Sequence, residues 1–162
     1  MTEDAIATPY RFGDVLALAR LAWRERMARG LASRGYDDYR RSDAAAVRML
    51  LGGPTTVGTF ASFLGISRQA ARKIATGLEQ RGFASATRDD ADARRVNLTL
   101  TRAGRSYADA VVAVIAELNR DTAAAVTPQQ LAAADVVLRA VFAGSRRAQR
   151  IGAAIPPPPA PS

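Results

Sequence analysis

The chain has 162 residues, of which 48% are hydrophobic and 23% charged, and its 23 basic and 15 acidic residues leave a net charge of +8. That length accommodates one folded unit with a hydrophobic core, and we expect a single structural unit. Cysteine and histidine are both absent, which excludes disulfides, thiolate chemistry, the usual zinc sites and the commonest general base, so we expect no cofactor and no metal.

Arginine supplies nearly all of the basic charge, since Lys73 is the only lysine among the 23 basic residues. A guanidinium is planar and matches phosphate groups and guanine edges better than an ammonium does, so a polyanionic partner fits this composition. Codon bias toward arginine and alanine explains this composition equally well. The positions of the arginines must therefore decide between the two explanations.

Neither a membrane span nor an export signal is predicted. No apolar run approaches the length needed to cross a bilayer. The first residues, MTEDAIATPYRFGD, carry acids where a secretion signal carries basic residues. The sequence therefore predicts a soluble, cytoplasmic protein without a membrane partner.

The first predicted element is a long amphipathic helix over residues 10–33, because apolar side chains recur every three or four positions along it. Its stripe consists of Phe12, Leu16, Ala19, Trp23, Met27 and Leu31. Gly35 is suited to ending this helix. A second helix is predicted over residues 43–51, with Ser42 or Asp43 as its N-cap and the sequence GGP after its end.

A helix-turn-helix is predicted next. Thr56 is the N-cap of a short third helix, Gly65 allows a tight turn, and Ser67 is the N-cap of a fourth helix over residues 67–81. At about 100° per residue, the fourth helix divides into two faces. Its polar face, within an arc of about 140°, carries Arg68, Gln69, Arg72, Lys73, Thr76 and Gln80. Its apolar face carries Ala70, Ala71, Ile74, Ala75 and Leu78.

A two-stranded hairpin with a charged tip follows the fourth helix. Residues 83–88 form its first predicted strand. In the second strand Val96, Leu98 and Leu100 alternate with polar residues, which is the period of a half-buried strand. The connecting tip contains three aspartates and two arginines within residues 89–95.

Two more helices complete the predicted elements. Thr101 is the N-cap of the fifth, which extends to about residue 125. The sixth begins at TPQQ, with Thr127 as N-cap, Pro128 at the first helical position and Gln130 as the capping-box partner. Its apolar line consists of Leu131, Ala134, Leu138 and Phe142. The proline-rich end is predicted to be a disordered tail; a segment that docks on a proline-reading domain is the alternative.

Two segments carry a family resemblance: LGISRQAARKIATGLEQRGF and RDDADARRVNLTLTRAG, the second with an Asp-x-Arg step at Asp92 to Arg94 and the pattern LT-x-x-G from Leu100 to Gly104. They resemble the winged-helix regulators of the multiple antibiotic resistance regulator (MarR) family. The resemblance extends over about residues 11–143. It implies a mainly α fold with a small β-hairpin wing (α+β), in which a winged helix-turn-helix lies between dimerisation helices.

The domain organisation expected from this resemblance has five parts. They are a flexible N-terminus (1–9), an N-terminal dimerisation helix (10–34), the winged helix-turn-helix region (35–104), the C-terminal dimerisation helices (105–144) and the disordered tail (145–162). The family pattern has a glutamate three residues after the N-cap of the third helix. Thr59 stands there in this chain, which predicts a weaker capping box.

The resemblance implies a homodimeric transcriptional regulator, a repressor that binds a pseudo-palindromic site in double-stranded DNA. Its fourth helix would enter the major groove, with residues near its start at base edges and Lys73 at a phosphate. Arg94 occupies the family position that reaches into the minor groove, and we predict that Asp92 orients it. The full set of predicted DNA-binding residues is Thr56, Ser67, Arg68, Gln69, Arg72, Lys73, Thr76, Arg88, Arg94 and Arg95. Residues 67–105 hold nine basic and four acidic side chains.

The family also commonly binds a small aromatic or anionic effector between its dimer helices and its DNA-binding region. Trp23, Tyr36 and Tyr39 would line such a pocket, with Arg40 or Arg41 available for a carboxylate. Trp23 lies on the apolar stripe of the first helix, so a role in core packing competes with this assignment.

Two other functions remain open from sequence, and we expect the protein not to be an enzyme. A sequence-nonspecific architectural DNA-binding protein would share the basic face but have no preferred site. A winged-helix protein-interaction module would suit a neutral or apolar fourth-helix face better than this one. Catalysis is disfavoured because the chain has no phosphate-binding loop and no nucleophile paired with a base.

Overall fold

A computed structural model of the protein describes residues 12–88 and 96–145, and of Arg88 only the backbone. The chain divides into two compact units, Met1–Tyr39 and Arg40–Ser162. The predictions made for residues 1–11, 89–95 and 146–162 lie outside the described residues. No helix in the part described is both long and apolar enough to cross a membrane.

The first unit contains helix α1 (Phe12–Ala32). Met27 and Leu31, at the end of the predicted apolar stripe, are buried. Three other members of the stripe are half-buried: Phe12, Leu16 and Trp23. α1 ends at Ala32, and the turn after it closes at Gly35, the residue predicted to end the helix, where the amide of Tyr36 donates to the carbonyl of Leu31 over 3.0 Å. Exposed apolar side chains are also present on α1, at Val15, Leu18 and Leu21.

The second unit contains the other five helices and all the strands of the described chain. In order they are α2 (Arg41–Leu50), β1 (Thr55–Thr56), α3 (Val57–Leu64), α4 (Arg68–Gln80), β2 (Ala84–Arg88), β3 (Val96–Leu100), α5 (Arg102–Ala124) and α6 (Pro128–Ala143). Six helices with one small antiparallel sheet confirm the predicted winged-helix fold class.

The predicted hairpin is confirmed as β2 and β3, and a strand that was not predicted, β1, extends it to a three-stranded sheet in the order β1-β3-β2. β3 lies in the centre, with Leu98 opposite Ala86 of β2 on one side and opposite Thr55 of β1 on the other. A strand of two residues is too short to show an alternating pattern, and Thr56 already carries the stronger signal of a helix cap.

The core of the second unit forms where the sheet covers the helices. Its largest fully buried side chains include Val47, Leu50, Phe60, Leu78, Leu98, Tyr107 and Val111. The alternation predicted for β3 holds at Leu98, which is 1% exposed, but Val96 is 39% exposed and Leu100 only half-buried. Val96 is the first residue of β3, where the strand leaves the helical layer, so its burial was predicted wrongly.

Four helices begin at the residues that the sequence predicted as N-caps. The hydroxyl of Thr56 accepts from the amide of Thr59 over 3.1 Å, and those of Ser67, Thr101 and Thr127 accept from the amide three residues later in the same way. At α6 the capping box is complete, since Gln130 accepts from the amide of Thr127. At α3, where Thr59 replaces the glutamate of the family pattern, its hydroxyl lies 3.0 Å from that of Thr56.

The N-cap predicted for α2 was wrong, because the helix begins earlier and Arg40 holds the cap position without a side-chain hydrogen bond. Asp43 lies instead in the first turn, 3% exposed, and pairs with the guanidinium of Arg81. That guanidinium also lies 4.8 Å from the ring centre of Phe83, which stacks on Tyr107 at 4.5 Å. We call these four residues the Arg81 cluster. Arg81 is one of the nine basic residues counted in 67–105. Because Asp43 neutralises its charge, Arg81 does not add to the charge available for DNA.

Gly104 lies where α5 passes directly against the start of the wing. A Cβ on this residue would lie 1.7 Å from the carbonyl oxygen of Phe83. That carbonyl accepts from the amide of Thr101, and the Thr101 hydroxyl donates to the carbonyl of Gly82. The LT-x-x-G pattern therefore joins β3, α5 and the turn before β2 in one close contact that requires glycine.

Candidate nucleic-acid interface

The turn between α3 and α4 sets the direction in which α4 leaves the domain. Gly65 ends α3 with φ 62°, a left-handed conformation that glycine adopts without strain. The amide of Ile66 then donates to the carbonyl of Ala61 over 3.0 Å, and Ser67 begins α4. This is the helix-turn-helix geometry that the sequence predicted.

α4 presents its polar residues to solvent and its small apolar residues to the core. Ala71, Ala75 and Leu78 are buried. The exposed residues include Arg68, Gln69, Arg72, Lys73 and Thr76. Within the described residues, none of the three cations of this face is held in an ion pair. We call these five exposed residues the α4 face; its charge is available to an anionic partner, unlike that of Arg81.

A groove of about 790 Å³ lies beside the α4 face, between α4, the first turn of α3 and the sheet. Four of the predicted DNA-binding residues line it: Thr56, Arg68, Arg72 and Thr76. Ser67, Gln69 and Lys73 are not among its lining residues. The Arg68 side chain lies beside the start of α3. Its Nη2 is 4.0 Å from the position that a Cβ on Gly58 would occupy. With Thr59, which also lines it, the groove collects two guanidinium groups and three hydroxyls.

The wing strands β2 and β3 border the same groove through Ala86, Val96 and Leu98. Arg88 is the last residue of β2 and pairs in register with Val96, the first residue of β3. The predicted contacts Arg94 and Arg95, and the orienting residue Asp92, lie outside the described residues, as does the side chain of Arg88. The register nevertheless fixes the two ends of the seven-residue tip.

The residues predicted for an effector pocket are divided between the units. Trp23, Tyr36 and Tyr39 are half-buried in the first unit, and Arg40 is exposed at the start of the second. None of the four lines the groove beside α4. The effector pocket stays a prediction. The described residues also contain no group of three acidic side chains that could hold a metal ion.

One acidic residue at this surface was not predicted from the sequence. Glu79, in the last turn of α4, lines the groove together with the two arginines. Its Oε1 accepts a hydrogen bond from the amide of Ala86 in β2 over 3.1 Å. In the sequence Glu79 is one of four acids in the region, and no local pattern connects a helix carboxylate with a strand amide seven residues later.

The chain matches the sequence model of the MarR family over residues 38–95. Solved structures are also similar. FabT of Streptococcus pneumoniae, solved in complex with DNA, gives a TM-score of 0.74 at 15% identity over 83% of this chain and 94% of its own. BpsR of Bordetella bronchiseptica gives 0.67 at 18% identity over 83% and 94%. A probable transcriptional regulator from Pseudomonas aeruginosa gives 0.65 at 24% identity over 83% and 96%. No curated protein matches the chain.

These likenesses agree with the geometry of the second unit. The solved structures, all below 25% identity, show the shared fold. The family match spans α2, both helices of the helix-turn-helix and β2. The matched region contains the α4 face and most of the groove beside it. The chain therefore resembles the MarR family over residues 38–95 and shares the fold of these solved structures.

Proposed function

We propose that the protein is a dimeric, sequence-specific DNA-binding repressor that a small ligand releases from its operator. The observation that carries the DNA-binding part is the α4 face, where Arg68, Gln69 and Arg72 stand exposed near the start of the second helix of a helix-turn-helix. Those positions meet base edges when such a helix lies in the major groove. FabT, solved in complex with DNA, has the same fold.

A division of labour between α4 and the wing follows. Arg72→Ala is expected to cost about 1–3 kcal/mol of specific binding and to relax base preference at one operator position, because a bidentate contact to a base is lost. Arg94→Ala is expected to weaken binding to all sequences and to reduce the salt dependence, because a backbone or minor-groove charge is lost. Titration of labelled operator variants at several salt concentrations measures both effects.

Arg48→Ala is the matched control, since it removes the same charge from an exposed position on α2. We expect it to leave base preference unchanged. Identical effects of Arg72→Ala and Arg94→Ala on base preference and on salt dependence would contradict the proposed roles.

The dimer part of the proposal is supported by the apolar surface of α6. None of its residues, Pro128–Ala143, is buried in the chain as described. Val136, Val137, Leu138 and Val141 are between 43% and 68% exposed. Apolar surface of this extent on a sixteen-residue helix is more stable when it is buried against a partner helix than when it is exposed to water. A second copy of the chain is the proposed occupant, since an operator with two half-sites needs two α4 faces.

The double substitution Val137→Glu/Val141→Glu is expected to raise the dimer dissociation constant at least about tenfold, because each carboxylate would be desolvated in an apolar interface. Analytical ultracentrifugation across a concentration series gives that constant. Gln129→Glu adds the same type of charge to an exposed position of the same helix and should leave it unchanged. A tight dimer in the double variant would place the interface elsewhere.

Release by a ligand rests on the predicted pocket residues. DNA binding by BpsR is regulated by 6-hydroxynicotinic acid, a small aromatic anion of the class predicted here. Trp23 is the only tryptophan in the chain, so its fluorescence reports on binding close to it. We expect a compound of this class to change Trp23 emission and to release operator DNA over the same concentration range. Release with no change in emission would place the effector away from Trp23.

A further inference from the structure

Glu79 connects the helix of the α4 face to the wing. It lies in the last turn of α4, where its Oε1 accepts from the amide of Ala86 at 3.1 Å. Ala86 is the middle residue of β2. The turn between them holds only the first part of the strand: the amide of Phe83 donates to the carbonyl of Leu78 over 2.8 Å. The Glu79 bond therefore holds β2 at its centre, three residues before the wing tip.

This bond satisfies an amide that the sheet leaves open. β2 is an outer strand, with β3 on one side. Along an antiparallel edge strand, every second amide points away from the neighbouring strand. The amide of Thr101 donates to the carbonyl of Phe83, so by the register the odd-numbered residues of β2 are the ones that hydrogen-bond to β3. The amide of Ala86, an even-numbered residue, therefore points away from β3. Without the carboxylate, the Ala86 amide would be left to water, and the centre of β2 would be held by β3 alone.

The charge of Glu79 makes its location costly for DNA binding. It shares the groove with Arg68 and Arg72, the side chains that are placed to meet an anion. A carboxylate there repels phosphate and lowers the affinity for any DNA sequence. Glu79 therefore lowers the affinity for every DNA sequence, while its bond to Ala86 fixes β2 relative to α4. The fixed geometry favours the correct site over all others.

We propose that Glu79 is a positioning residue that fixes the wing strand against α4 and thereby sets the ratio of specific to nonspecific DNA affinity. This rests on the proposed DNA-binding function. Glu79 touches no base in this account. It holds β2 beside the last turn of α4, and the relative position of these two elements is what we expect specific binding to depend on.

Two substitutions separate the positioning role from the charge. Glu79→Gln removes the charge and keeps an oxygen that accepts from Ala86, whereas Glu79→Ala removes both. Both should tighten nonspecific binding by a few-fold, because one repulsive charge is gone. Only Glu79→Ala should lower the ratio of specific to nonspecific affinity, by at least about fivefold. Gln80→Ala, at the exposed neighbouring position, should leave the ratio unchanged.

Amide hydrogen exchange tests the contact without DNA. The Ala86 amide should exchange slowly in the unaltered protein and in Glu79→Gln, and at least about fivefold faster in Glu79→Ala. Fast exchange in the unaltered protein, or an equal affinity ratio in Glu79→Gln and Glu79→Ala, would overturn the positioning role alone. A selection that yields no preferred site for the unaltered protein would overturn the proposed function, and the positioning role with it.

Discussion

Replacing Gly104 with alanine is expected to lower the free energy of unfolding by at least about 3 kcal/mol. The new Cβ would lie 1.7 Å from the carbonyl oxygen of Phe83 and 2.6 Å from its carbonyl carbon. Both atoms belong to the backbone, so no side chain can rotate away. Either α5 or the turn before β2 must move, and the hydrogen bonds that join Thr101 to that turn would be distorted. Urea denaturation of the purified variant measures the loss.

Gly77→Ala provides a control of opposite sign. Gly77 lies inside α4, and a Cβ there would meet nothing within 4 Å. Because alanine favours a helix interior over glycine by roughly 0.5–1 kcal/mol, this variant should gain stability. A gain of similar size in Gly104→Ala would show that the close approach of α5 to Phe83 does not exist in solution.

Asp43→Ala is expected to lower the free energy of unfolding by about 3 kcal/mol, because it leaves the guanidinium of Arg81 without its carboxylate partner. The side chains of Asp43 and Arg81 are only 5% and 18% exposed, so water replaces the lost partner poorly. The aromatic pair of Phe83 and Tyr107 continues to face the charge but cannot neutralise it. Urea denaturation again gives the measurement.

Two variants show whether burial of the pair causes this effect. Asp135 and Arg139 form an ion pair one helical turn apart on α6, with side chains 29% and 35% exposed. Asp135→Ala should cost less than about 1 kcal/mol, as exposed pairs do. Asp43→Ala/Arg81→Met should recover part of the loss, since no unpaired charge remains. Equal costs for Asp43→Ala and Asp135→Ala would contradict the account of the Arg81 cluster.

The parts of the fold that sequence predicted are those set by neighbouring residues. Thr56, Ser67, Thr101 and Thr127 each combine a hydroxyl with a following apolar period, and each is an N-cap. The two faces of α4 were also predicted, because the helical period alone determines which residues share a face. The α4 face, which we propose contacts DNA, therefore follows from local sequence.

The parts that sequence could not predict depend on residues that meet only in the folded chain. Asp43 has the composition of a helix cap, but its partner Arg81 lies 38 positions away. The short strand β1 exists because β3 passes beside it. The bond between Glu79 and Ala86 requires that β2 turn back along α4, which no property of either residue indicates. These tertiary contacts position the wing strands, whereas local sequence determines only the α4 face.

Selection of bound fragments from a random DNA pool by the purified, unaltered protein tests the central claim most directly. A dimer that uses two α4 faces should enrich a palindromic motif whose half-sites are about 10 bp apart, centre to centre. The same selection with Arg72→Ala should lose preference at one position in each half-site. A pool without any enriched motif would contradict sequence-specific regulation and leave a nonspecific DNA-binding protein as the explanation of the basic surface.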